Sequence, residues 1–404
     1  MRTVEEYLAS VLSGIRVLDP IELPLASAHG CVLAEAVRAP WPLPSFDNAA
    51  TDGFAVRADD IAPAREGSAV ALRVIDDVPA GYRSTETVEP GTAVRVMTGA
   101  PIPAGADCVV AAELTDAGDD LADSVGVLAS VARGSGIRRA GEDITAGETA
   151  LAAATLIGAR QVAILAALGC GLVRVHPRPR IAVIAAGSEL VEPGLDLRTG
   201  LVSESNSYLL VAAAREAGAD AYRVGPVPDE PHALREAIED QLHRADLIIT
   251  IGGVSPGPHD SVRAVLDELG TMEFSSIAMN PGRLQGHGTV GPDSTPIMAL
   301  PGNPVSSYVS FECFVRPVIH RMLGLAGEGL PLASATAGVD IASPAEQRQY
   351  VRARYVAPDV VVPVGAGQGA HLFAGLAQAE ALVIVPQGTS RIHAGERVQV
   401  IDLR

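Results

Sequence analysis

Three apolar runs in the second half of the chain each end in a glycine-containing loop, and this repetition limits the possible folds. The runs are RIAVIAAGSEL, ADLIITIGGVSPG and PIMALPGNPVS, which end at Gly187, at Gly252 and Gly253, and at Gly302. Helical patterns lie between or after them, at residues 205–218, 229–244, 260–269 and 304–323. Buried strands that alternate with helices predict a parallel, doubly wound α/β sheet over about 178–328. Ligands of such sheets bind at the carboxyl ends of the strands.

The remaining sequence predicts β-rich regions on both sides of this α/β region. Residues 3–13 have helical spacing of apolar side chains, with Thr3 as N-cap and Glu6 three residues later. Residues 41–140 repeat Pro, Gly, Val and Thr, which indicates a loop-rich β domain. Residues 147–177 predict an Ala/Leu-rich helix and then a strand. The last 75 or so residues predict a small β-barrel or sandwich, so the fold class is a multidomain α/β protein.

The charged residues exclude several functions. All 30 basic residues of this 404-residue chain are arginines, so P-loop, kinase-type and Schiff-base lysines are absent. The net charge of −18 argues against nucleic acid or an anionic membrane as partner. An acidic N-terminus and no long apolar segment predict a cytoplasmic protein without a membrane span. The cysteines lack C-x-x-C spacing, which predicts four reduced thiols and no zinc or iron–sulfur site.

The strand-to-loop junctions are the first candidate site. Gly252 and Gly253 allow backbone amides to approach a ligand, and Asn303 is a natural N-cap for a helix that begins with Pro304. Each junction alone is more often ordinary turn chemistry, but three in one sheet favour a ligand crevice.

Three carboxylates, Glu189, Asp229 and Asp260, follow these runs or precede the helices, and together they suit Mg²⁺. Asp229 before Glu-Pro is equally an ordinary helix cap, and Asp260 has either role. In the β-rich region, Asp52, Thr98 and Asp143 are interpreted from the residues alone as turn formers.

Seven ordered segments resemble the molybdopterin molybdenumtransferase family, MoeA and the gephyrin E domain. They are PSFDNAATDGFAVR with MTGAPIP, RRAGEDI, GSEL, DEPHAL, GGVSPGPHD and LPGNPVS, and they span essentially the whole chain. The resemblance implies an elongated homodimer of four-domain subunits. The implied domains are a molybdopterin-binding domain at 1–19 plus 178–328, a linking domain at 20–38 plus 147–177, a β-rich domain at 39–146 and a C-terminal β-barrel at 329–404.

The resemblance also implies an activity and a set of site residues. The family inserts molybdate into adenylylated molybdopterin with Mg²⁺ and releases AMP, and a molybdopterin adenylyltransferase is an expected partner. The catalytic residues carried over are Asp52, Thr98, Asp143 and Glu189. Asp229 and Asp260 are expected to hold Mg²⁺. Substrate binding is expected at Gly252, Gly253, Ser255, Arg283, Pro301, Gly302, Asn303 and Arg352.

Departures from the family pattern leave an alternative function open. Ser276 and Asn280 stand where the family typically has lysines, and Ala370 stands where a serine often follows Gln-Gly. Arg283 and Arg352 are then the cations expected to receive molybdate. The alternative is a molybdopterin-binding scaffold with little or no insertase activity. A molybdopterin adenylyltransferase is disfavoured because it would not need the β-rich region or the C-terminal barrel.

Overall fold

The computed structural model describes residues 1–118, 122–254, 261–325, 332–365 and 367–404. The chain forms two compact units. The first contains Met1–Glu35, Ala153–Val162 and Gly171–Arg404, and the second contains Ala36–Ala152 and Ala163–Cys170. These units are coarser than the four domains expected from the sequence, so the four-domain boundaries stay a prediction.

A six-stranded sheet is the centre of the first unit, and the three predicted apolar runs all lie in it. Its order is Asp220–Val227, Arg180–Ala186, Leu247–Ile251, Thr295–Leu300, Leu284–Val290 and Gly270–Ser276. The first four strands are parallel, as predicted. The last two are antiparallel, because the chain turns back between them without a helix. The prediction of a wholly parallel sheet is therefore wrong at this edge.

Helices cover both faces of the sheet, which makes it doubly wound. Along the first parallel strand Ile181 and Val183 pack into one core, whereas Ala182 and Ile184 pack into the other. On the first face lie the helices Val4–Ser13, Asn206–Glu216, Pro304–Ser310 and Arg316–Met322. On the second face lie the helices Pro231–Glu239 and Ser261–Leu269. The first helix begins with the predicted capping box between Thr3 and Glu6.

The helix predicted over 304–323 contains a π-helical segment, Phe311–Val315. Pro317 lies at the start of the helical turn that follows. Proline has no N–H to donate to the carbonyl four residues earlier, and its ring crowds that carbonyl, so the regular α-helical ladder is interrupted here. Glu312 in the π segment is buried and accepts from Arg316 at 2.7 and 2.8 Å.

The C-terminal residues form a closed five-stranded barrel, as predicted. In order around the barrel the strands are Arg348–Ala357, Val360–Pro363, Leu332–Ala337, Arg397–Asp402 and Ala381–Val385, and the last pairs with the first. The short strand Met279–Asn280 pairs with Arg348–Ala357. Smaller elements of this unit are the strands Ile21–Pro24, Val32–Leu33, Leu172–His176, Leu190–Val191, Val202–Ser203, Ile341–Ala342 and Arg391–Ile392, and the 3₁₀ turns Leu25–Ser27 and Phe373–Gly375.

The second unit is β-rich, as its composition predicts. Its five-stranded sheet has the order Cys108–Ala111, Gly53–Val56, Thr92–Val96, Val70–Val78 and Ser124–Val127. Two short ribbons pair Asn48–Ala49 with Ile137–Arg138 and Val37–Arg38 with Thr149–Leu151. Its other elements are the helix Ala58–Ile61 and the 3₁₀ turn Ala112–Leu114, and the helix Ala159–Ala167 belongs partly to each unit.

Two further expectations concern cysteines and membrane spans. All four cysteines are free, and three of them are buried: Cys31, Cys108 and Cys313. Burial raises the pKa of Cys313 to about 12 and that of Cys108 to about 12, so these thiols are inert. Over the described residues, the helices are too short or too polar to cross a membrane.

Candidate active site

A cleft of about 620 Å³ lies at the carboxyl ends of the parallel strands of the first unit. The strand Arg180–Ala186 pairs on one side with Asp220–Val227 and on the other with Leu247–Ile251. The chain therefore adds strands first toward one edge of the sheet and then toward the other, and the strand order reverses at Arg180–Ala186. Ligands of doubly wound sheets bind at such a switch point. The described lining residues are Glu189, Gly252, Gly253, Val254, Asn280, Pro281, Gly282, Arg283, Leu284, Pro301, Gly302, Asn303, Ser306 and Ala370.

The two glycines after Leu247–Ile251 allow the backbone to form the floor of the cleft. Gly252 and Gly253 have φ of 93° and 69°, a region that other residues rarely adopt. A Cβ atom on Gly252 would lie 3.1 Å from the carbonyl oxygen of Ala186. The Gly252 amide donates to the Leu300 carbonyl at 3.0 Å, which ties this loop to the neighbouring strand. Close backbone approach therefore explains why glycine occupies this position.

The Pro301–Asn303 loop forms another wall of the cleft. Asn303 is the N-cap residue and Pro304 the first helical residue, as predicted, but the Asn303 side chain makes no capping hydrogen bond. The first amides of a helix have no partner within the helix. This wall therefore offers backbone donors next to the Asn303 side chain.

Arg283 is the one cationic side chain among the described residues that line the cleft. Its Nε donates to Ser276 Oγ at 2.9 Å, and its guanidinium has no carboxylate partner within the described part of the chain. Asn280 Nδ2 donates to Gln349 Oε1 at 2.7 Å. The two side chains at the family's lysine positions are thus both engaged, and Ser276 orients the arginine.

Of the three predicted carboxylates, Glu189 lines the cleft. Asp229 follows the strand Asp220–Val227 and is not among the described lining residues. The N-cap of the next helix is Glu230, so the alternative interpretation of Asp229 as the helix cap is wrong. The Asp229 amide donates to Ser188 Oγ at 3.1 Å, and its carbonyl accepts from Ser261 Oγ at 3.2 Å. These bonds fix the backbone of Asp229 and use neither of its carboxylate oxygens.

Asp229 Oδ1 is buried and has no hydrogen-bond partner among the described residues. A buried carboxylate oxygen without a donor is costly, and a cation would satisfy it. Asp260 and Ser255 lie outside the described residues. Within the described residues there is no group of three or more His, Cys, Asp or Glu side chains that could hold a metal.

Arg352 does not line the cleft; its side chain is 1% exposed and is covered by residues 367–372, to which it donates. The guanidinium donates to the carbonyls of Gly367 and Leu372, and its Nε to Gln368 Oε1 at 3.4 Å. Burial lowers the pKa of Arg352. The loop that it holds carries Ala370 to the cleft wall.

In the second unit, Asp52 and Thr98 are brought together. Asp52 precedes the strand Gly53–Val56, and Thr98 follows the antiparallel neighbour Thr92–Val96. Asp52 Oδ1 accepts from the Thr98 amide at 2.6 Å and from Thr98 Oγ1 at 2.7 Å. These two bonds, the amide first, hold the pKa of Asp52 below its usual range.

Asp143 is exposed, and its amide donates to the Leu43 carbonyl at 3.0 Å. A separate carboxylate, Asp47, accepts from Arg139 at 2.6 Å and from the Ala140 amide at 2.8 Å. The bond from Ala140 and then that from Arg139 hold the pKa of Asp47 below its usual range.

Family models match almost the whole chain. The "MoeA N-terminal region (domain I and II)" matches residues 2–169, the "Probable molybdopterin binding domain" matches 182–321, and the "MoeA C-terminal region (domain IV)" matches 334–403. The chain belongs to the MoeA family. The resemblance seen in the sequence is thereby confirmed, and every described lining residue of the cleft except Ala370 lies within the molybdopterin-binding match.

Full-length relatives agree with this assignment to the MoeA family. Two relatives from Mycobacterium tuberculosis, molybdopterin molybdenumtransferase 1 and molybdopterin molybdenumtransferase 2, are each 40% identical to this chain. Both alignments cover 100% of this chain, and they cover 99% of the first relative and 100% of the second. A crystal structure of a molybdopterin biosynthesis MoeA protein from Pyrococcus horikoshii has a TM-score of 0.81 at 30% identity, covering 100% of this chain and 99% of that one. The multidomain α/β fold class with a C-terminal barrel is confirmed.

The sequence did not predict several described lining residues of the MoeA-type cleft, among them Ser306, nor did it predict Asn206, which bonds to the cleft loop. Ser306 lines the cleft in the first turn after Asn303. Asn206 lies behind the cleft wall and donates to the Gly302 carbonyl at 2.6 Å. The position of Ser306 could have been predicted, because it lies in the first turn of the helix Pro304–Ser310, directly after the Pro301–Asn303 loop. No spacing rule connects Asn206 to a residue nearly a hundred positions later.

Proposed function

We propose that this chain transfers molybdenum from molybdate to molybdopterin, using the adenylylated form and releasing AMP. The observation that carries the proposal is the cleft at the switch point of the sheet, formed by Gly252, Gly253 and the Pro301–Asn303 loop. It combines backbone donors with the Arg283 guanidinium, which has no carboxylate partner among the described residues, and this combination suits a ligand that carries phosphate. The full-length identity to relatives named molybdopterin molybdenumtransferase supports the same function.

In this proposal the residues of the first unit bind and orient the substrates. The amides that follow Gly252 and Gly302 hold the pterin and its phosphate. Arg283 receives an oxyanion, because a guanidinium oriented through its Nε can still offer its two terminal nitrogens. Glu189, which we propose as a catalytic residue, lines the same cleft. Adenylylated molybdopterin and molybdate are the substrates, and molybdenum cofactor and AMP are the products.

Asp229 and Asp260 are the residues that we propose to hold Mg²⁺. The support is the buried, unpartnered Oδ1 of Asp229, which fits a hard cation. When bound, Mg²⁺ supplies positive charge that neutralises phosphate oxygens at the bond to AMP. The proposed catalytic roles of Asp52, Thr98 and Asp143 rest on the family resemblance, as do a homodimer, a cytoplasmic location and supply of substrate by a molybdopterin adenylyltransferase.

A scaffold without insertase activity is the second candidate, and the observation in its favour is the replacement of lysines by Ser276 and Asn280. Two considerations favour the transferase. Arg283 remains in the cleft, oriented by Ser276. Relatives named as transferases also match over the full length of the chain.

The deciding experiment follows AMP release from adenylylated molybdopterin with Mg²⁺ and graded molybdate, together with reconstitution of a molybdenum enzyme. We expect AMP release that rises with molybdate and saturates. Binding of molybdopterin without molybdate-dependent turnover would favour the scaffold instead.

The same assay tests the Mg²⁺ site. Asp229→Asn should raise the Mg²⁺ concentration for half-maximal rate by on the order of tenfold, because one ligand oxygen loses its charge. Glu230→Gln is the matched control, since the adjacent Glu230 makes no capping bond and is exposed. Equal Mg²⁺ dependence of both variants would remove Asp229 from the metal site.

A further inference from the structure

The Pro301–Asn303 loop is held from behind by two side chains that do not line the cleft. Ser307 Oγ donates to the Pro301 carbonyl and lies 3.0 Å from the Asn303 carbonyl, which accepts from the Ser307 amide at 2.9 Å. Asn206 Nδ2 donates to the Gly302 carbonyl at 2.6 Å. Ser307 is fully buried, and Asn206 is the first residue of the helix Asn206–Glu216. All three carbonyls of the loop are therefore occupied by protein donors.

The hydrogen bond from Asn206 to the Gly302 carbonyl also determines the direction of the Asn303 N–H. A trans peptide is planar, and its C=O and N–H point in opposite directions. With the Gly302 carbonyl held on the side of Asn206, the Asn303 N–H is turned to the other side. Asn303 lines the cleft, and within the described part of the chain its N–H donates to no other group.

The orientation of the Asn206 side-chain amide is fixed by chemistry. Its nitrogen must face Gly302, because the reverse orientation would place two acceptor oxygens together. In this orientation Asn206 Oδ1 is buried and has no partner among the described residues. The side chain thus keeps its bond to the loop although, within the described part of the chain, its oxygen has no donor.

We propose that Asn206 is a positioning residue of the cleft, which fixes the Gly302–Asn303 peptide so that the Asn303 N–H donates to an anionic oxygen of the bound ligand. The inference rests on the proposed function for the identity of the ligand, but the geometry belongs to this loop alone. Asn206 itself does not contact the ligand.

The test uses molybdopterin as the probe and compares dissociation constants of the full-length protein and its variants. Asn206→Asp has the same shape but presents a carboxylate, which repels the Gly302 carbonyl and attracts the Asn303 N–H. The peptide is then expected to turn its N–H away from the cleft, with at least a tenfold weaker binding. Asn206→Ala removes the donor without adding charge, and a smaller loss of several-fold is expected.

Three controls separate positioning from general damage. Ser205→Ala alters the preceding residue, whose side chain makes no capping bond, and it should bind as the wild type. Thermal unfolding of each variant reports whether the fold is kept. Lowering the pH toward the pKa of the new carboxyl should partly restore binding in Asn206→Asp relative to wild type at the same pH, because the protonated acid can again donate to Gly302.

Wild-type affinity in both Asn206 variants would overturn this inference and leave the proposed function intact. A loss of binding in Asn206→Asp that is no larger than in Asn206→Ala, and that does not recover at low pH, would also overturn it. Failure of the wild-type protein to bind molybdopterin would overturn the proposed function and this inference with it.

Discussion

At the scale of single residues, Asp52 and Thr98 form a polar pair with a defined electrostatic state. Two donors from Thr98 stabilise the carboxylate, and the pKa of Asp52 lies below its usual range. A lowered carboxyl pKa stabilises the fold at pH above the unfolded-state pKa, and this contribution is lost as the pH falls through the folded-state value. Asp52 is therefore charged throughout the neutral range.

Thr98→Val should raise the pKa of Asp52 without restoring it fully. The hydroxyl bond is lost, but the Thr98 amide, which makes the larger contribution, still donates. NMR titration of the Asp52 carboxyl carbon measures the change, and Asp47 is the internal control because its donors are Ala140 and Arg139. An unchanged titration midpoint for Asp52 would show that the hydroxyl does not stabilise its charge.

Arg283→Gln should weaken molybdate use by roughly 10- to 100-fold in KM, because a charge-assisted hydrogen bond contributes about 1.5–3 kcal/mol. Ser276→Ala keeps the charge but removes the acceptor for Nε, so a smaller rise in KM is expected. The measurement is AMP release against molybdate concentration, and an unchanged KM in Arg283→Gln would exclude Arg283 from oxyanion binding.

At the scale of elements, the buried Arg352 links a barrel strand to the loop that carries Ala370. Its donors are taken by the oxygens of Gly367, Gln368, Gly369 and Leu372. A direct role in binding molybdate would require these bonds to break. The structure therefore favours an effect of Arg352 on the position of the loop, while its predicted role in substrate binding stays a prediction.

Arg352→Met should destabilise the protein by about 1.5–3 kcal/mol, since half-buried carbonyls of Gly367 and Leu372 lose their charged donor. Arg354→Met is the matched control, because Arg354 lies on the same strand and is exposed. Urea unfolding followed by circular dichroism measures both variants. Equal stabilities for Arg352→Met and Arg354→Met would contradict the structural role of Arg352.

Strands and helices of the α/β region could be predicted because buried runs, glycine loops and caps are local signals. The antiparallel edge Gly270–Ser276 and Leu284–Val290 could not, since its residues alternate weakly and its pairing is decided by tertiary contacts. The π segment at Phe311–Val315 has ordinary helical periodicity, and only Pro317 signals the interruption.

The candidate site, like the fold, was predictable where its signals are local in the sequence. Glycine loops and carboxylates at strand ends can be recognised from the residues, and Glu189, Gly252 and the Pro301–Asn303 loop do line one cleft. Asp52 with Thr98 emerged only through family resemblance, because both residues are also ordinary turn formers. The burial of Arg352 was not predictable, since its partners are backbone carbonyls, which carry no sequence signal.

At the scale of the whole molecule, the family assignment and the cleft converge on one claim, that molybdopterin binds between the glycine loops of the α/β sheet. Gly302 offers a direct test. Its backbone does not need glycine, and a Cβ atom there would lie 3.6 Å from Gly252 Cα, an ordinary contact. A larger side chain at this position therefore fills the cleft and leaves the fold intact.

The measurement is calorimetric titration of molybdopterin into wild-type protein and Gly302→Val, with thermal unfolding of both. We predict one molecule bound per chain in the wild type, and binding weakened by at least about 100-fold in Gly302→Val, which is about 2.7 kcal/mol, at an unchanged unfolding temperature. Wild-type affinity in a folded Gly302→Val protein would contradict the account, because the ligand would then bind elsewhere.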